Sequence, residues 1–224
     1  MREITPPPPG WWDRQINGVA EVQFFLRHQL RRALEGQAFA DDENVRRLTG
    51  DSKHWLEFWE RQSGQEFFDM ATLVRLATTV EMLLRDYYRN CLGHPSISEL
   101  APKGGSGVFQ RLFPWGSPSV IDLYADALAV DLGENPELRR MQELMAHRHL
   151  YAHSSGLVNE NYLDNWRKLT GDDLMAAGVL GSYPDEDFFW FKPLEELDEF
   201  IEDSRRFFRW FPVSGKDSSA ATSA

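Results

Sequence analysis

The chain has 224 residues, 42% apolar and 13% aromatic, enough to fill one well-packed core with flanking tails. A formal net charge of −11 excludes a protein that coats nucleic acid with its whole surface, because affinity for phosphate depends on clustered Lys and Arg; any such contact must be local. The single cysteine, Cys91, excludes an intramolecular disulfide, and no basic flank precedes a signal-like apolar run, so a reducing, cytoplasmic location is expected. Apolar runs of a few residues fall far short of the roughly 20 needed to cross a bilayer, and no membrane role is expected.

In chain order, MREITPPPPG opens a leader expected to be disordered over residues 1–13, and VSGKDSSAATSA marks a disordered tail over 213–224. Between them apolar residues recur at three and four, and no internal repeat is present, so the expected fold class is all-α, a helical bundle. The first helix is expected from about Arg14 to Phe39, and a second from about Ser52 to Gln62 with Trp55, Phe58 and Trp59. A long core helix follows from about Glu66 to Cys91, with Leu73, Leu76, Ala77, Val80, Leu83, Leu84 and Tyr87 on one arc and Gly93 and Pro95 beyond its end. PKGGSG, Pro102 to Gly107, lacks the preceding strand and the Lys-Ser/Thr ending of a phosphate-cradling loop and reads as a connector. Pro118 to about Leu132 predicts another helix.

Next, Asn135 suits an N-cap, Pro136 the first helical position and Glu137 the positive end of the dipole, for a helix running to about His153 where Ser-Ser-Gly stops it. NENYLDNWRKL and PLEELDEFIEDSRRFFRWF predict the last two helices, the latter with Leu194, Leu197, Ile201, Phe208 and Phe211 toward the core. GVLGSYPDEDFFWF reads as irregular or a short strand pair. From Glu160 to Arg209, thirteen Asp and Glu face six Lys and Arg, which makes the C-terminal third a poor platform for a polyanion.

Two charges fall on apolar faces. At 100° per residue, Leu138, Met141, Leu144, Met145, Tyr151 and Ala152 occupy an arc of about 140°, and Arg148 falls inside it. Glu81 likewise sits among Val74, Ala77, Leu84 and Tyr88. A guanidinium that cannot lose its proton is costly there unless paired or facing a cavity. Two readings stand: an Arg148–Glu81 pair that holds two helices in register, or an arginine aimed into a cleft between subunits.

The same helix end carries HRHLYAH, His147 to His153. His149 and His153 are helix neighbours at i, i+4, but a zinc site needs a third ligand, and neither an H-E-x-x-H sequence nor a nearby cysteine supplies one; no metal and no cofactor are expected. His147 points to the far side and reads as an incidental surface or hydrogen-bonded helix-end residue. His153, where the helix gives way to Ser-Ser-Gly, is expected to be free of strict helical geometry and able to turn toward Arg148.

RHLYAH, Arg148 to His153, resembles the R-x-x-x-x-H motif of HEPN-domain ribonucleases, with His149 at the polar position after the arginine. The surrounding ELMAHRHLYAHSSGLVNENYL is similar to the family's motif helix, small-residue turn and polar segment before an aromatic, and LVRLATTVEMLLRDYY to its upstream core helix, with Glu81 at a place often acidic. The resemblance covers roughly Glu66 to Trp210 and implies an N-terminal helical extension over 14–64 and a HEPN-like domain over 65–212. It further implies a homodimer that joins two motifs across a cleft to cut single-stranded RNA without metal. Arg148 and His153 are then the catalytic residues, with His149, Glu81 and Tyr151 in support. Family members act as toxins or antiviral defence effectors. The alternatives are a non-catalytic HEPN-like module binding RNA or a partner protein, and a structural protein whose Arg148 and Glu81 form only a core pair. The acidic balance leaves room for a regulator acting in trans.

Overall fold

The strongest apolar periodicity of the chain builds the centre of the protein. The computed structural model describes residues 10–35, 63–91, 120–154, 158–171, 180–182, 189–191 and 196–212. Within these the fold is an all-α helical bundle: α1 (Trp11–Glu35), α2 (Ser63–Cys91), α3 (Val120–Leu128), a 3-10 turn (Leu132–Glu134), α4 (Leu138–Ser154), α5 (Glu160–Thr170) and α6 (Leu197–Arg209). A two-stranded antiparallel ribbon, β1 (Leu180–Ser182) and β2 (Phe189–Phe191), pairs Leu180 with Phe191 and Ser182 with Phe189. The expected helix over 52–62, the PKGGSG connector and the tail lie outside the described residues, as do residues 1–9 of the leader.

Helix α2 packs against α1, α3, α4 and α6. Its Leu73, Leu76, Ala77, Val80, Leu83, Leu84 and Tyr87 are all buried, as their spacing predicts. Trp12, Ile16 and Val19 of α1 join the same core, so α1 begins at Trp11, three residues before its expected start. Opposite them, Phe200, Ile201, Phe207, Phe208 and Phe211 line the α6 side, and Phe211 meets Tyr87 at a ring distance of 4.8 Å and Tyr124 edge-on at 5.9 Å. Each buried aromatic of this kind contributes on the order of 1.5–3 kcal/mol through area removed from water.

Helix α3 stops at Leu128, four residues before its expected end. Ala129 takes φ of +53°, and its N–H donates to Ala125 O while Val130 N–H donates to Tyr124 O, which turns the chain. Left-handed backbone at a non-glycine residue leaves no signature in composition. The side chain of Asp131 then caps the 3-10 turn by accepting from Gly133 N–H at 2.8 Å.

The start of α4 follows its sequence signals. The Asn135 Oδ1 accepts from Glu137 N–H at 3.0 Å, with Pro136 between them. Buried Asn135 also donates from Nδ2 to Phe207 O of α6 at 3.0 Å, a contact only the tertiary fold reveals. Replacing Asn135 with Ala removes a cap and orphans a buried carbonyl, so a loss of about 1–3 kcal/mol is expected in urea denaturation. At the other end of the α4–α5 pair, Asn159 caps α5 through Tyr162 N–H, and Gly171, at φ +79°, closes α5 by donating to Arg167 O.

Candidate functional site

Helices α2 and α4 bring together the two charges found on their apolar faces. Arg148 Nη2 lies 3.8 Å from Glu81 Oε2, with side chains 23% and 10% exposed. The separation is an ion pair without a hydrogen bond, since N–H···O bonds between charged groups run about 2.7–2.9 Å. Both partners keep unsatisfied atoms: Glu81 Oε1 and Arg148 Nε are buried with no hydrogen-bond partner. Burial pushes the Glu81 carboxyl above its ordinary range, and the Arg148 and Arg85 guanidinia pull part of that rise back.

A guanidinium two turns earlier on α4 shows how this fold satisfies an arginine. Arg140 donates from Nη1 to Glu143 at 2.6 Å, from Nε to Asp203 at 2.9 Å and from Nη2 to Glu196 at 3.0 Å, and its guanidinium carbon lies 4.3 Å above the Phe200 ring centre. Asp203 also accepts from Arg206, which in turn binds Glu137 at 2.7 Å. Every nitrogen of Arg140 is used, and it ties α4 to α6. Among the described residues Arg148 makes no comparable set of bonds. Sequence reasoning missed this network; its only trace is Arg140 and Glu143 at i, i+3 facing an acidic helix.

No family model, curated protein or solved structure matches the chain.

Helix α4 continues through Ser154, so His153 stays in helical backbone within the last turn rather than at a loosened end. This corrects the expected freedom of His153. Positions 148 and 153 are about 140° apart around the axis and about 7.5 Å apart along it. His149 is exposed, and Tyr151 is buried at the edge of the main core. Among the described residues no three His, Cys, Asp or Glu side chains gather as a metal site requires. No helix among them is long and apolar enough to cross a membrane.

His147 departs most from its expectation. Far from an incidental helix-end residue, it is 1% exposed, stacked on Trp166 at 4.8 Å and edge-on to Phe200 at 5.6 Å, and its Nδ1 lies 2.8 Å from the Tyr162 hydroxyl. The cause is that α4 is enclosed by α2, α5 and α6, so residues 141–147 are all buried and no arc of that segment faces water. Burial, with a smaller push from Arg140, lowers the His147 imidazole to about 3.

The linkage sign follows from that depression. Below the unfolded value near 6.5 the unfolded chain binds a proton at His147 that the folded chain refuses, so stability falls as pH drops from about 6.5 toward 3. The slope from this residue is about 1.4 kcal/mol per pH unit. His147→Gln, neutral at every pH, is expected to flatten the stability profile in that window by this slope, measured as urea midpoints across pH against wild type.

Proposed function

We propose that the chain is a metal-independent endoribonuclease of HEPN type that cleaves single-stranded RNA at a site shared between two copies. The carrying observation is the loosely held Arg148, half as long again from Glu81 as Arg140 is from Glu143, with unbonded atoms on both partners. A pair whose purpose was only to lock α2 to α4 would be expected to bond as Arg140 does. An arginine held near a carboxylate without hydrogen bonds keeps its donors for an incoming phosphate.

Attack of a ribose 2′-hydroxyl on the adjacent phosphate breaks the bond to the leaving 5′-oxygen and leaves a 2′,3′-cyclic phosphate. One group must take the 2′-hydroxyl proton, another must give a proton to the leaving oxygen, and a cation must hold the added charge on the phosphorane. In this reading the two His153 imidazoles of a homodimer serve as base and acid, since an imidazole near neutrality supplies both forms, and the two Arg148 guanidinia hold the phosphorane. The azimuth of about 140° between positions 148 and 153 on one helix favours a site completed by a second copy. His149 lines the approach, Tyr151 supports the helix from the core side, and Glu81 keeps Arg148 in reach. A cytoplasmic defence effector or toxin, released by a regulator in trans, fits this chemistry.

The test is cleavage of a labelled single-stranded RNA in EDTA, with end-group analysis for the cyclic phosphate and light scattering for the dimer. The net charge of −11 favours a second reading, a non-catalytic module that binds RNA or a partner protein. That reading expects binding without turnover whether or not metals are added, and motif-dependent turnover excludes it.

A further inference from the structure

Among the described residues, four of the seven buried side-chain atoms left without a hydrogen bond gather on one side of α2: Glu81 Oε1, Arg148 Nε, Arg85 Nε and Arg89 Nε. Glu81, Arg85 and Arg89 follow one another at successive turns, each about 6 Å further along the helix and about 40° around it. Arg148 from α4 meets the first of them. Arg85 acts electrostatically on the same Glu81 carboxylate. Its one ion pair among the described residues is a 3.9 Å contact with the adjoining Asp86, and the Arg85 side chain remains 44% exposed. Arg89 forms no ion pair among the described residues.

The arginines of α4 and α6 are, by contrast, mostly matched by acid. Arg139 and Arg140 share Glu143, Arg206 holds Glu137 and Asp203, and Arg205 holds Glu202 and Asn17. Along α2 the neighbouring anions are Glu81, Asp86 and Asp126, whose charge reaches Tyr88, against the cations Arg85, Arg89 and Arg148. In a chain of net charge −11, three cations here balance three anions. Half-buried guanidinia with unused donors cost desolvation that the folded protein alone does not return.

We infer that Arg85 and Arg89 are phosphate-binding residues, arranged along α2 so that a single RNA strand runs past them into the Arg148 site. This rests on the ribonuclease reading and adds to it the path of the substrate. Both arginines are part-exposed while their Nε atoms are buried, as long basic side chains at an apolar edge allow. Successive turns then offer successive phosphates a planar fork. Because Arg85 and Arg89 lie one and two turns along α2 from the Arg148–Glu81 contact, their contribution is to binding in ground and transition state alike.

The probe is a fluorescein-labelled 2′-O-methyl oligoribonucleotide, which binds but lacks the attacking hydroxyl, read by anisotropy over a salt series with the full chain. Its unmodified counterpart reports cleavage. Arg85→Ala/Arg89→Ala is expected to weaken binding roughly tenfold and to reduce the slope of log K against log salt by about 1.4, the amount for two phosphate contacts on a single strand. It should raise KM with kcat little changed. The double Lys variant should retain the slope, and Arg75→Ala, an exposed arginine earlier on α2, should change neither. If the double Ala chain fails to fold, Arg89→Ala alone carries the test, with a slope change of about 0.7. Wild type that binds or cleaves RNA while the Ala variants keep its affinity and slope overturns the inference alone. Wild type that neither binds nor cleaves overturns the ribonuclease reading and the inference with it.

Discussion

Arg140→Ala is expected to destabilise the fold by about 3–5 kcal/mol, the cost of breaking a buried ion network from one side. Asp203 and Glu143, 5% and 7% exposed, lose their shared guanidinium, and Asp203 keeps only Arg206, itself half-exposed. Glu196 and the Phe200 ring lose the same partner. Because those contacts join α4 to α6, the helix carrying the motif loses its bonds to Asp203 and Glu196. Thermal denaturation should show a midpoint lower by about 10 °C for a domain of this size. Arg140→Lys should recover only part, since an ammonium cannot reach three carboxylates as a planar fork does. A change below about 1 kcal/mol would remove the contrast on which the reading of Arg148 depends.

Arg148→Ala should behave in the opposite way. Loss of a cation that stabilises phosphorane charge is expected to lower kcat/KM for RNA about 100- to 1000-fold. Stability should fall less than in Arg140→Ala, because the 3.8 Å contact contains no hydrogen bond and the Glu81 carboxyl, already raised by burial, can take up a proton. Melting curves and turnover measured on both variants separate the two arginines. Retained activity together with the larger stability loss in Arg148→Ala would make the pair a structural one.

Much of the fold was legible because periodicity reports burial when a helix has one wet face. That holds for α2, whose core positions all fall where their spacing places them, and for α6 with Ile201, Phe208 and Phe211. It fails where a helix is enclosed, as His147 shows: residues 141–147 are all buried, on and off the apolar arc, and His147 meets Tyr162 and Trp166 from α5 in its burial. It fails also at α3, where Ala129 turns the chain without a glycine. At the site, the misplaced charges Arg148 and Glu81 were visible as breaks in two apolar arcs, and the structure brings them into contact. Their looseness was not visible, because it depends on how far apart α2 and α4 pack. Arg85 and Arg89 were overlooked for a related reason: arginines at the wet edge of an amphipathic helix look like ordinary solvated charge until their missing partners are counted.

The central claim is that position 153 moves protons at a shared site with Arg148. The most direct measurement compares wild type with His153→Ala for cleavage of single-stranded RNA in EDTA, with the dimer verified for both. The expected result is wild-type cleavage giving 2′,3′-cyclic phosphate ends and a loss of at least about 100-fold in the variant. Cleavage by His153→Ala at the wild-type rate, or a wild-type dimer that leaves RNA intact, would contradict it.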